Sequence, residues 1–217
     1  MTDEFRPEEV LDFWFPENGH WENRERHGAF WDERMQGGMD AVICARFAPL
    51  TEAAARGLLD HWADTPRGRL ALLIALDQFP RSLWRDTPSA FAQDIKAARL
   101  ALETIETGVI DSYAPWEMAF FLVAISHCEG PDHLARFDAI DALTDRMEPR
   151  MPAHLADMMV GFRRQTVRVR GIIERFGRHP HRNPILGRLS SPDEEAYIAT
   201  GNFPHVRQVE TEVGAGP

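Results

Sequence analysis

Two stretches of this chain are apolar on every face of a helix, and any fold must put both inside. Residues 70–76 read LALLIAL and follow Thr65 and Pro66, an N-cap residue and a proline at the first helical position. Residues 118–125 read MAFFLVAI. A helix with no polar face is covered on all sides, so the chain is expected to be built around central buried helices.

The remaining segments read as further helices. Pro7 with Glu8 and Glu9 opens one whose apolar face is Leu11, Trp14 and Phe15. Phe30, Met35, Val42 and Phe47 suggest another, weakened at Gly37 and Gly38. Thr51 is a candidate cap for the segment LTEAAARGLLDHWA. After Thr87-Pro88 a stripe of Phe91, Ile95, Ala98, Leu102 and Ile105 recurs at helical spacing, with Gly108 as C-cap. Leu134, Phe137, Ile140 and Leu143 make one face of the next helix; a long helix ends at Gly177, and SPDEEAYIA is short and capped. Phe13, Trp31, Trp62 and Trp84 are read as core with Trp14 and Phe15, since aromatics at helical spacing are core far more often than cofactor stacks. No alternating strand pattern of useful length appears. The expected fold is all-α: a single-domain stack of helical hairpins over residues 1–207, with a long C-terminal helix followed by an ordered loop. Residues 208–217 are expected to be a frayed polar tail. Helix pairs recurring every 30–45 residues or so resemble a helical-repeat stack.

Composition excludes several classes. A net charge of −10 argues against general nucleic-acid binding. Two cysteines, Cys44 and Cys128, make no disulfide framework. The charged opening MTDEFRPEEV lacks the apolar core of a signal peptide, and no apolar run approaches the roughly 20 residues that span a bilayer. The expectation is a soluble cytoplasmic protein that binds neither membrane nor nucleic acid.

The basic residues are concentrated. Between Arg163 and Arg188 stand eight arginines and one acid, Glu174, a formal +7 that leaves −17 on the rest of the chain. Such a local site suits a small anion, or internal pairing with carboxylates, better than a polynucleotide. Its densest part, RFGRHPHRNPILGR at 175–188, follows the Gly177 helix stop and is stiffened by Pro180 and Pro184. Arginines held in a rigid loop lose less entropy on gripping a carboxylate or phosphate.

Both apolar helices also end in groups a core does not choose. The first continues into Asp77, Gln78 and Arg81, with Asp77 and Arg81 four apart and able to pair. A buried carboxylate needs such a partner. The second ends Ser126, His127, Cys128, Glu129. A histidine at a helix C-terminus is favoured in its charged form by the dipole. Cys128 is a poor nucleophile for His127, because neighbours on a helix point about 100° apart. For each cluster the structural reading, bridges and caps that lock helices together, stands beside the functional one.

His179 and His181 raise a metal reading, but no HExxH or CxxC accompanies them. The phosphate-loop, dinucleotide and nucleophile-elbow fingerprints are also missing. No metal and no cofactor is expected.

Taken in order, VLDFWF, LALLIALDQFPRSLWRDTPSAFAQD, a helix ending in SHCEG, and RFGRHPHRNPILGRLSSPDEEAYI resemble the bacterial domain-of-unknown-function 924 family, over about Val10 to Tyr197. The resemblance implies a tetratricopeptide-like helical fold and carries no activity with it. It places the family's polar signature on Asp77, Gln78, Arg81, Arg85, His127, Glu129, Arg178, His181, Arg182, Asn183 and Arg188. The chain departs from it at Cys128, where serine is usual, at Gly130, where an acid is usual, and at His179, where an aromatic is usual. These departures further weaken Cys128 as a nucleophile and His179 as a metal ligand.

The functional expectation is a polar pocket that binds, or binds and transforms, a small anionic molecule. Arg81, Arg178 and Arg182, with Gln78 and Asn183, would hold the ligand. His127 or His181 would act as acid or base, oriented by Glu129 or Asp77. The alternative is a helical-repeat module that binds a protein partner and uses the polar clusters only as braces.

Overall fold

The computed structural model describes residues 4–204. Its α-helices are α1 (Pro7–Trp14), α2 (Arg24–Met35), α3 (Asp40–Arg46), α4 (Ala48–Ala55), α5 (Pro66–Asp77), α6 (Phe79–Leu83), α7 (Asp94–Glu106), α8 (Pro115–His127), α9 (His133–Met147), α10 (Asp157–Phe176), α11 (Asn183–Leu186) and α12 (Pro192–Ala199). Short 3₁₀ turns link them, and no strand occurs among the described residues. The chain is an all-α single domain. The expected tail, 208–217, lies outside the described residues, as does 205–207 at the end of the expected domain. Among the described residues no helix is long and apolar enough to cross a membrane.

The two apolar helices sit where their composition requires. α5 packs against α1, α4, α7 and α8; α8 packs against α5, α7 and α9, and α9 carries α10. Leu70, Leu72, Leu73, Ile74 and Leu76 are all buried, each worth about 1.5–3 kcal/mol over an exposed position. α5 starts with Thr65 Oγ1 accepting from the Gly68 N–H at 3.2 Å. That first turn is closed tightly: a Cβ on Gly68 would lie 2.3 Å from the Trp62 carbonyl oxygen and 2.9 Å from Thr65 Oγ1. Gly68→Ala therefore strains backbone and cap together, and a loss of about 2–4 kcal/mol is expected in urea unfolding. A change below 0.5 kcal/mol, roughly the scale of a neutral surface substitution, would show that the turn yields freely.

Four local expectations are corrected. The helix expected through Gly37 and Gly38 is split, Gly37 taking φ 90° between α2 and α3. Thr51 does not cap; it lies inside α4, its hydroxyl donating to the Phe47 carbonyl at 2.8 Å. α7 turns a different face inward, burying Asp94, Ala97, Ala98, Ala101 and Thr104 while Ile95 is 64% exposed. Its small alanines let α8 approach, and the wider Ile95 and Leu102 fall to the rim. Leu134 is exposed and His133 is buried in its place.

The break between α5 and α6 frees a carbonyl for a side chain to hold. Pro80 has no N–H and cannot continue the helical ladder. The Arg81 N–H then turns to the Gln78 carbonyl at 3.2 Å. The Asp77 carbonyl accepts instead from Arg81 Nη1 at 2.8 Å.

A second polar group is sealed among aromatic rings at the start of the chain. The Trp31 indole N–H donates to His27 Nε2 at 3.1 Å, and His27 Nδ1 lies 2.8 Å from His20 Nδ1. Since His27 Nε2 accepts, its proton is on Nδ1, which donates to His20; the His20 proton is then on Nε2. Phe30 stacks on His20, with centroids 3.9 Å apart. Burial first, and nearby charge second, lowers both histidines to a pKa of about 4.

Candidate functional site

Gly177, at φ 70°, stops α10, and the 175–188 segment folds back over the C-terminal end of α8 and the start of α7, beside the end of α5. Between them lies a cavity of about 290 Å³. Gln78, Arg81, His127, His181 and Arg182 line it, as expected from the sequence; Arg34, Phe91 and His179, which were not expected there, line it too.

A row of alternating charge runs along one wall. Arg182 Nη1 donates to Asp94 Oδ2 at 3.1 Å, and Arg81 Nη2 donates to Asp94 Oδ1 at 2.9 Å. Arg81 Nη2 is 3.7 Å from Asp77 Oδ1, which in turn lies 2.8 Å from His127 Nδ1. The Gln78 amide donates to Asp77 Oδ2. Asp77 and Asp94 are almost wholly buried, which only such pairing makes tolerable. A carboxylate at Nδ1 holds the proton there and makes Nε2 the basic nitrogen of His127. Arg81 is committed to the frame, with Nη1 on the carbonyls of Asp77 and Ala90 as well. Burial opposes its charge, but Asp94 and Asp77 outweigh that and raise its pKa.

Arg182 is different. Burial, ahead of any neighbour, lowers its pKa. Its guanidinium stands 4.5 Å from the Phe91 ring centroid, and its Nε is buried without a hydrogen-bond partner among the described residues. Arg34, 4% exposed, enters from α2 with Nε on the Trp14 carbonyl at 2.6 Å and its guanidinium 3.8 Å from the Phe30 centroid. Its carboxylate partner, Glu33, is a half-exposed side chain. Burial lowers Arg34 to a pKa of about 10, still charged at neutral pH.

Four of the expected site residues do not line the cavity: Asp77, which reaches it through His127 and Gln78, and Arg178, Glu129 and Asn183. Arg178 makes a two-armed bridge to Glu194, at 2.7 and 2.8 Å, and so ties the loop to α12. Glu129 is not the orienter of His127; it accepts from Arg188 Nη1 at 2.5 Å and from the His179 N–H at 2.7 Å. Burial pushes its carboxyl up, but Arg188, Arg182 and the His179 N–H together hold it below its usual range. Asn183 is fully buried and donates to Ser190 Oγ at 2.9 Å. The free end of α8 is capped by groups other than the loop arginines. Arg136 donates to the carbonyls of Ile125 and Cys128 at 3.1 and 2.7 Å, while His133 and His179 meet the Ser126 carbonyl. Burial raises the Cys128 thiol, which removes any thiolate character. Arg85 pairs with Asp40 across α3. Among the described residues no three of His, Cys, Asp or Glu converge as metal ligands.

Asp94 and Arg34 are charged residues that sequence reasoning missed, while Phe91 and His179, read there only as part of an apolar stripe and as a weak metal ligand, also reach the cavity. Asp94 had a signal, since it shares a helical stripe with Ala97, Ala98 and Ala101. Arg34 falls four residues after Phe30 on the buried face of α2, but nothing separates it from other arginines by type.

A family of bacterial proteins of unknown function, DUF924, matches residues 10–202. A solved structure of a protein of unknown function from Agrobacterium tumefaciens, ATU0120, is similar: it is 30% identical, with a TM-score of 0.65 over 90% of this chain and 97% of that one. No curated protein matches the chain.

Proposed function

The chain belongs to the DUF924 family of bacterial proteins of unknown function, and we propose, from its own geometry, that the cavity between α5, α8 and the 175–188 segment binds a small organic anion. Arg182 carries this reading. It is a buried guanidinium on the cavity wall, it shares the Asp94 carboxylate with Arg81, and its Nε has no partner among the described residues. Arg34 supports it, a second buried cation whose counter-charge lies toward solvent. The clamp is thus Arg34 and Arg182, with Arg81 as frame. A cavity near 290 Å³ is at the small end of ligand pockets, which begin at about 300 Å³. His127, oriented by Asp77, is suited to moving a proton on or off a bound molecule.

The bridges Arg178–Glu194 and Arg188–Glu129 are the braces that the alternative, a protein-interaction module, would use. Thermal-shift titration with acetate, propionate, lactate and inorganic phosphate separates the two. At saturation an anion raises the melting temperature by about 5–10 °C, from a linkage gain of roughly 2.7 kcal/mol at a hundredfold excess over Kd. Arg182→Gln abolishes the rise and Arg178→Gln keeps it. The anion reading fails if no probe shifts the wild type, or if Arg182→Gln responds as fully as wild type.

A further inference from the structure

We infer that the anion taken by this cavity is amphiphilic, an acidic head on a short hydrocarbon body, with the body lying against Val123. This rests on the anion reading for the head and adds to it the nature of the rest of the ligand.

The apolar wall is read from side chains that keep accessible surface. From Glu117 to Cys128 every residue is buried except Val123, which is half-buried and lines the cavity. A helix covered on its other faces is thus open at Val123, where the cavity lies. His127 follows four residues later, on the same face and one turn away. Met35 from α2, Ile185 from α11 and Phe203, beyond α12, line the same cavity and are half-buried too. They come from separate parts of the chain, so this wall is assembled by the fold and is not the stray exposed residue of one helix.

The charged side is distinct from it. Arg182 and Arg81 both stand over the Phe91 ring, at 4.5 and 5.7 Å from its centroid, which sets that ring among the cations. A mostly apolar lining with a few placed polar groups is the usual make-up of a ligand pocket. An anion without a hydrocarbon part meets the arginine side alone and leaves the Val123 side wet. A hydrocarbon body takes that apolar surface out of water. The gain is about 0.8 kcal/mol, or roughly fourfold in affinity, for each methylene buried.

Isothermal titration of the full wild-type chain with acetate, butyrate and hexanoate is the test, since the head stays constant and only the body grows. Butyrate binds about tenfold or more tightly than acetate, and hexanoate more tightly again. Val123→Thr keeps the shape of the side chain but sets a hydroxyl in the wall, and it lowers the preference for hexanoate over acetate about fivefold. Hexanamide, with the same body and no charge, binds about tenfold or more weakly than hexanoate. If the three carboxylates bind wild type within about twofold of one another, or Val123→Thr leaves the preference unchanged, this inference is overturned and the anion reading stands. If hexanamide matches hexanoate, the anion reading falls and takes the inference with it. If none of the carboxylates binds, both fall. The wild-type series needs no variant, so a misfolded Val123 variant cannot shelter the inference.

Discussion

Taking the protein from pH 7 to pH 5 lowers its melting temperature by roughly 10–20 °C, more than any single core substitution proposed for it. The cause is a set of histidines folded away neutral. His20, His27, His133 and His181 are each lowered to a pKa of about 4, burial being the largest cause in every case. Burial holds His179 well below the usual imidazole range too. In the unfolded chain each returns to about 6.5 and binds a proton sooner than in the fold. The stability they contribute is therefore complete above pH 6.5 or so and is lost as pH falls toward 4. By pH 5 a histidine shifted this far has lost on the order of 2 kcal/mol. His20 and His27 share one hydrogen bond and count as a single event. Together these losses are comparable with the whole stability of a typical domain, about 5–15 kcal/mol. Differential scanning calorimetry across pH 5–7.5 reads the effect directly. A melting temperature constant to within about 2 °C, less than a 1 kcal/mol change would produce, would mean that these rings are solvated.

Asp94→Ala has the second-largest expected effect, a loss of about 3–5 kcal/mol. Asp94 is the carboxylate between two buried guanidinia, at 2.9 and 3.1 Å. Removing it leaves Arg81 and Arg182 facing each other without that counter-charge. Asp94→Asn keeps the shape and one acceptor, so it costs less, and the order Ala worse than Asn worse than wild type is part of the prediction. Urea unfolding measures it; a loss under 1 kcal/mol, about that of a surface pair, would place the bridge in solvent.

How far the sequence could be read depended on what kind of signal each residue carried. The buried helices were legible because LALLIAL and MAFFLVAI exclude a wet face whatever their neighbours. Asp77, Arg81, His127, His181 and Arg182 were legible because polar groups at the ends of such helices, or in a loop stiffened by proline, have few places to go. The inward face of α7 was misread by about one residue, and Asp94 was lost with it. Hydrophobicity favoured Ile95 and Leu102, but close approach to α8 favoured the alanines. Arg178 and Glu129 were placed in the cavity because proximity in sequence was taken for proximity in space. Their partners, Glu194 and Arg188, are pairings among many equivalent charges, which a single sequence does not distinguish.

The His27–His20 pair has a further consequence for proton traffic. The basic nitrogen of His27 already accepts the Trp31 indole N–H, and the basic nitrogen of His20 already accepts the His27 N–H. This hydrogen-bond chain begins at an indole N–H, which does not release its proton near neutral pH, and so passes none along. An incoming proton enters only after a bond that fastens α2 to the preceding turn has been surrendered. The two imidazoles of this pair are therefore structural wedges between α2 and the turn before it.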